Sequence, residues 1–98
     1  MEENQMQTAR FQGLQVFGSP AEAETNAIRA LEYRTPDAKA KLLLYSFATH
    51  SYFRKPLTVA SVSNQTCLRP AELAKTFRSL QRLGLIRLKA GQVYLDIP

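Results

Sequence analysis

The chain has 98 residues, of which 45% are hydrophobic, and its net charge at pH 7 is +5. This length allows one domain with a modest core, and the hydrophobic content predicts a folded chain. The longest uninterrupted apolar run, residues 42–45, is far shorter than the about 18 residues that span a membrane, and the acidic start does not fit a secretion signal. A single cysteine and a single histidine predict no disulfide, no metal, no cofactor and a reducing, cytoplasmic location.

The first 18 residues are predicted to form a flexible N-terminal arm. Residues 1–9 are polar and lack an apolar period, which is typical of a frayed tail. Residues 10–18 are short, partly aromatic and interrupted by two glycines, so two structures are equally compatible with them. One is a strand, and the other is an extended arm that lies on the core or on a partner subunit.

Two helices are predicted next, each from a start signal. Residues 19–22 read serine, proline, alanine and glutamate, which supply an N-cap, a first-turn proline and the acid of a capping box, so a helix should run from Pro20 to about Tyr33. Residues 35–37 repeat the signal with threonine, proline and aspartate. The second helix, from Pro36 to about His50, carries the strongest apolar face and is expected to be the main core helix.

A short third helix is predicted over residues 58–66, after a connection at residues 51–56. Thr58 can cap it, and Val59 and Val62 form its inward pair. Its many β-branched and hydroxyl residues have low helix propensity, so packing must stabilise it. Residues 66–69 are expected to form a tight turn.

The fourth helix should begin at Pro70 and end near Leu83. Leu73, Phe77 and Leu80 recur at helical spacing, and Gly84 supplies the left-handed stop. Two strands follow, over residues 85–89 and 92–97, joined by a turn at residues 90–91. The alternation in the second strand places Val93, Leu95 and Ile97 on one side.

This order of elements predicts a mainly α fold with a small β-hairpin, which is the winged helix-turn-helix arrangement with an N-terminal arm and an extra helix. The domain is expected over residues 19–98, with its core over residues 36–98. In such a fold the longer helix enters the major groove of DNA, here at about residues 70–83. The basic wing, at about residues 87–92, lies along the phosphate backbone.

Charge is divided unevenly along the chain. Residues 1–37 hold three arginines against six acids, a net charge of −3, whereas residues 38–95 hold ten lysines and arginines against Glu72 alone, a net charge of +9. A segment with such an excess attracts polyanions, of which nucleic acid backbones are the commonest. An inert basic surface is the alternative.

The candidate DNA-contacting residues are the outward polar stripe of the fourth helix, its entrance and the wing. They are Arg69, Glu72, Lys75, Arg78, Ser79, Arg82, Arg87, Lys89 and Gln92. The alternative is that these are solvated charges of an ordinary surface helix. For Arg82 the helix dipole alone favours a cation, so both interpretations have equal weight there.

Residues 73–86 align without gaps with a recognition helix followed by the motif that leads into a wing, which is glycine, an apolar residue and isoleucine at residues 84–86. Residues 91–95 match the strand that follows the turn of the wing. Through these motifs, residues 57–97 resemble the DNA-binding domain of the cyclic-AMP receptor family of bacterial transcription regulators. The resemblance implies the architecture and general DNA binding, with Lys75 at a contacting position. Pro70 and Ala71 replace the family's base-reading Arg-Glu pair, Cys67 replaces a turn glycine, and the cyclic-nucleotide domain is absent.

Four other residues are candidates for a chemical role. His50 is expected to have a surface or helix-capping role. Cys67 is expected to be a small packed residue at the corner between helices, with a redox switch as the alternative. Tyr52 and Phe53 are expected to be buried against the core, with base stacking as the alternative.

The sequence therefore predicts a small, nucleoid-associated transcriptional regulator that binds double-stranded DNA sequence-selectively, and not an enzyme. It should be a homodimer, with Ile28 and Leu31 of the first helix as candidate interface residues. The alternatives are a winged-helix module that binds a protein partner, and a structural protein that coats or segregates DNA.

Overall fold

The computed structural model describes residues 9–98. A single 3-10 turn at Ala9–Phe11 precedes strand β1 (Gln15–Val16). Four helices follow in the described chain: α1 (Pro20–Glu32), α2 (Ala38–Tyr52), α3 (Val59–Thr66) and α4 (Pro70–Arg82). Strands β2 (Ile86–Lys89) and β3 (Gln92–Leu95) come last. The structure is thus mainly helical with a small sheet, as predicted, and within residues 9–98 no helix has the length and apolar character needed to cross a membrane.

The predicted helix starts are confirmed for α1 and corrected for α2. The Ser19 hydroxyl accepts a hydrogen bond from the Glu22 amide (3.2 Å), and the Glu22 carboxylate accepts one from the Ser19 amide (2.8 Å), which completes a capping box. In α2 the cap is Asp37, whose carboxylate accepts from the Lys39 amide at 3.0 Å, and the helix runs two residues beyond His50. Thr35 instead accepts from the Asp37 amide and so orients that cap.

Helix α1 packs along α2, and the residues that it buries are small. Ala23 and Ala30 are buried, whereas Ile28 and Leu31 are 56% and 59% exposed. Alanine side chains let the two helix backbones approach closely. The larger apolar residues of α1 therefore lie on its outer side, away from the core.

The core is centred on three phenylalanine rings from distant parts of the chain. Phe11, Phe47 and Phe77 are each fully buried, and their ring centroids lie 5.4 to 6.0 Å apart. Such tilted and edge-on contacts are favourable for aromatic pairs. Leu73 and Leu80 complete the predicted inward stripe of α4 with Phe77.

Phe11 belongs to the segment predicted to be a flexible arm, and the structure places residues 10–18 against the core. Besides the buried ring, the backbone of this segment is anchored: Gly13 donates to the Leu57 carbonyl (2.6 Å), and Leu57 donates to the Leu14 carbonyl (2.8 Å). Residues 10–18 combine features of the two structures left open for them, since Gln15–Val16 form a strand and the segment lies on the core. The rest of the predicted arm, residues 1–8, lies outside the described residues.

The sheet has the order β1-β3-β2. Strand β3 pairs antiparallel with β2 and parallel with β1, where Val16 stands opposite Val93. Ala90 and Gly91 both have positive φ (53° and 76°), as a two-residue hairpin turn of type I′ requires. Strand β2 begins one residue later than predicted, at Ile86, and β3 ends two residues earlier, at Leu95, although Ile97 remains buried.

We predict that Phe11→Ala destabilises the fold by about 3–5 kcal/mol, because it removes a fully buried ring between two others. Urea denaturation monitored by circular dichroism measures this. The control is Phe17→Ala in the same segment, whose ring is 48% exposed and whose loss should cost about 1 kcal/mol. Equal, small losses for both variants would contradict the packed position of residues 9–18.

Candidate nucleic-acid interface

The corner between α3 and α4 is formed by a residue in the left-handed conformation. Cys67 has φ 60° and ψ 21°, and its side chain is exposed. The predicted packing of Cys67 is therefore wrong, because the left-handed backbone turns its side chain outward. Thr66 and Leu68 fill the corner instead, and the Thr66 hydroxyl donates to the Val62 carbonyl (2.8 Å) and accepts from the Leu68 amide (3.2 Å).

His50 joins α2 to α3 from a buried position, so its predicted surface role is wrong. The residue is 4% exposed. Its Nδ1 lies 2.7 Å from the Ser46 carbonyl oxygen, which can only accept, so Nδ1 carries the proton in that bond. Its Nε2 lies 2.7 Å from the Ser61 hydroxyl on α3. This bridge fixes the short helix, as the low helix propensity of α3 requires.

Helix α4 presents a row of cations on the side opposite its buried stripe. Lys75 and Arg82 are exposed, Arg78 is half-buried, and Arg69 is exposed at the helix entrance. Among residues 9–98 there are two ion pairs, Lys39–Glu72 and Arg87–Asp96, and neither includes a cation of α4. The charges of Arg69, Lys75 and Arg78 are therefore not neutralised by contact with an acid of the described chain.

Glu72, predicted as part of the same stripe, is committed to contacts within the protein. One carboxylate oxygen accepts from the Arg69 amide (3.0 Å), and the other lies 3.0 Å from the Lys39 ammonium. The hydrogen bond from the Arg69 backbone and then the contact with Lys39 lower the pKa of Glu72. Its carboxylate therefore stays ionised at neutral pH and closes the start of α4, rather than projecting from the helix.

The three residues predicted on the wing occupy different positions. Lys89 is exposed beside the turn, and Gln92 stands opposite it in the register as a half-buried residue of the central strand. Arg87 lies further from the turn, where its guanidinium donates to the Asp96 carboxylate (2.5 Å) and lies 5.0 Å from the centre of the Tyr94 ring. Only Lys89 of the three is an exposed cation at the hairpin tip.

The outer side of α1 and α2 carries large apolar side chains, including two that were expected to be buried. Tyr52 and Phe53 are exposed, Phe53 to 64%, because they lie at the end of α2 beyond the core, and their rings meet edge to face at 5.1 Å. Helices α1 and α2 form a helical hairpin, which is distinct from the β2–β3 hairpin. We call the exposed apolar residues of this helical hairpin the hairpin face: Ile28, Leu31, Leu42, Tyr45, Tyr52 and Phe53. A groove between the helices is lined by Tyr45, Tyr52 and Phe53 of this set, with Ala27 of α1 among the other lining residues.

Comparison with known proteins adds no family assignment. The chain matches no protein-family model, and no curated protein or solved structure matches it significantly.

We predict that Cys67→Gly stabilises the protein by about 0.5–1 kcal/mol. Glycine adopts the left-handed conformation without the steric cost that a side chain incurs, and this gain exceeds the added flexibility of the unfolded chain. Urea denaturation measures the change, and Cys67→Ala, which keeps a Cβ, should leave stability nearly unchanged. A loss of stability in the glycine variant would contradict the left-handed corner.

Proposed function

We propose that this protein binds double-stranded DNA as a winged helix-turn-helix module and acts as a small, sequence-selective transcriptional regulator. In this proposal α2, α3 and α4 form the three-helix unit, α4 enters the major groove, and the β2–β3 hairpin lies against the phosphate backbone. The observation that carries the proposal is the row of cations on α4, which lack an acidic partner in residues 9–98.

The geometry of α4 suits a major groove, which is wide enough to admit one helix. Leu73, Phe77 and Leu80 hold one side of the helix in the core, so the opposite side faces outward as a unit. Lysine and arginine side chains in these positions can contact phosphates or the acceptor edge of guanine. We assign this role to Arg69, Lys75 and Arg78, with Ser79 and Arg82 at the far end.

The residues with internal contacts have supporting roles in this proposal. Glu72 orients the start of α4 through the Arg69 amide, and it holds Lys39 beside the helix. On the hairpin, Lys89 makes the phosphate contact, with Gln92 beside it. Arg87 remains charged beside Asp96 and contributes to the local positive field more weakly than an unpaired cation does.

We further propose that two copies associate through the hairpin face. A stable interface buries about 800 Å² per partner, and an aromatic side chain alone has roughly 150–250 Å² to bury. The six side chains of the hairpin face, each 40% to 64% exposed, therefore supply most of the area that a dimer needs.

Charge on the two helices also favours a second copy as the partner. Helix α1 has three glutamates against Arg29, whereas α2 has no acid and has Lys41 beside Lys39, which Glu72 pairs. In a two-fold interface the same surface patch meets itself, so α1 of one copy can lie against α2 of the other. Two DNA-binding modules held in this way would contact two half-sites.

We predict that Lys75→Ala and Arg78→Ala each weaken binding to duplex DNA by about 1–3 kcal/mol. Each should also reduce the slope of log affinity against log salt concentration by the contribution of about one phosphate contact. Fluorescence anisotropy with a labelled duplex measures both effects. The control is Arg29→Ala, which removes one positive charge from α1. Equal effects of all three substitutions would show that net charge alone, and not α4, binds the DNA.

We predict that Leu31→Asp converts a dimer into a monomer without unfolding it, because Leu31 is exposed in the single chain and a buried charge opposes association. Sedimentation equilibrium gives the mass, and circular dichroism checks the fold. Leu83→Asp, at a similarly exposed leucine outside the hairpin face, is the control and should remain dimeric. A wild-type protein that is monomeric at high concentration would overturn the proposed interface.

A further inference from the structure

The outer side of the small sheet carries a surface that the proposed duplex contacts use only at its β2–β3 hairpin end. Alternation along the strands turns Val16 and Val93 inward and their neighbours outward. Phe17 follows β1 and continues its pairing, since its amide donates to the Val93 carbonyl at 2.8 Å. We call this outward set the strand face: Gln15, Phe17, Arg87, Lys89, Gln92 and Tyr94.

Three of these side chains form a continuous stack across the sheet. The Phe17 and Tyr94 rings are 4.7 Å apart and 25° from parallel, and the Arg87 guanidinium lies 5.0 Å from the centre of the Tyr94 ring. Because β3 lies between β1 and β2, Phe17 and Arg87 flank Tyr94 from opposite sides. The Asp96 carboxylate holds Arg87 at one end of the stack, and Phe17, about half exposed, is its apolar end.

A cavity of about 300 Å³ opens beside Phe17. Its lining combines an aromatic ring, two amides, two hydroxyls and a guanidinium, from Gln15, Phe17, Ser19, Ser51, Arg54 and Gln92. Gln15 and Gln92 stand opposite each other in the sheet register, so their amide groups border the same opening. The combination is that of a site for a planar, polar and anionic molecule.

Two lining residues are available to a ligand. Arg54 ends α2 in the left-handed conformation (φ 55°), with the Lys55 amide donating to the His50 carbonyl (2.9 Å) and the Arg54 amide to the Ser51 carbonyl (3.1 Å). The side chain of Arg54 is exposed and forms no ion pair within residues 9–98. The Ser51 hydroxyl is buried and has no hydrogen-bond partner in the described chain. Buried polar groups are nearly always paired, so a partner from outside the chain would explain this hydroxyl.

We propose that the strand face binds an unpaired nucleotide. The base stacks on Phe17 and extends the Phe17–Tyr94–Arg87 stack, the amides of Gln15 and Gln92 hydrogen-bond its edge, and Arg54 binds its phosphate. This surface is separate from the cations of α4, so the proposal does not rest on duplex binding. The nucleotide can be free or can belong to a single strand, since both present the same base and phosphate.

The test measures the affinity of the full chain for labelled oligothymidylate of about twelve residues and, separately, for a labelled duplex. Phe17→Leu keeps apolar bulk but removes the stacking surface, and Arg54→Ala removes the phosphate contact. Each should weaken single-strand binding about tenfold or more and leave duplex binding unchanged. Two variants are matched controls. Leu88→Ala changes an exposed aliphatic residue, and Lys55→Ala changes the cation next to Arg54. Both should have little effect on single-strand binding or on duplex binding. Phe17→Tyr should restore single-strand binding, and circular dichroism checks each fold.

Competition with thymidine monophosphate distinguishes the two sources of the nucleotide. Displacement of the oligonucleotide would identify a free nucleotide as sufficient, whereas binding of the oligonucleotide without displacement would identify a nucleotide within a strand. The proposal is overturned if wild-type protein does not bind oligothymidylate, or if Phe17→Leu and Arg54→Ala behave like their controls. Lys75→Ala reports on the duplex proposal separately, since it should weaken duplex binding alone.

Discussion

The contact of Phe11 with Phe47 and Phe77 is the interaction on which the rest of the structure depends. It joins the segment before β1 to the central helix α2 and to α4, three parts of the chain that are far apart in sequence. With Phe11 in place, β1 lies beside β3 and completes the sheet. With Phe77 in place, one side of α4 is fixed inward, and its cations necessarily face outward. Both proposed nucleic-acid surfaces therefore follow from one aromatic cluster.

Charge and apolar area are distributed so that the described chain presents three chemically different surfaces. The cations of α4 suit a phosphate backbone, the hairpin face suits a second copy, and the strand face combines rings with amides and arginine. Internal ion pairs separate the cations into two groups. Lys39 and Arg87 are held by Glu72 and Asp96, whereas the cations proposed to contact DNA have no such partner in residues 9–98.

Local signals in the sequence predicted most of the helical structure, because caps, stop residues and apolar periods act within a few residues. The capping box at Ser19, the inward stripe of α4 and the stop at Gly84 are examples. Long-range contacts were not predictable in this way. Nothing near Phe11 indicates that its ring enters the core, and the bridge from His50 to Ser61 depends on how two helices cross. The same limit applies to the candidate interface: periodicity located the cations of α4, but the partners of Glu72 and Arg87 come from other elements. DNA binding and dimerisation themselves stay predictions.

The most direct test of the central claim is the affinity of the wild-type protein for random-sequence duplex DNA over a series of salt concentrations. Each phosphate that a cation neutralises contributes about −0.9 to the slope of log affinity against log salt concentration. The unpaired cations Arg69, Lys75, Arg78 and Lys89 predict a slope of roughly −3 to −4 for one copy. A flat dependence, or no binding at low salt, would contradict the account and would identify the basic surface as one for acidic proteins.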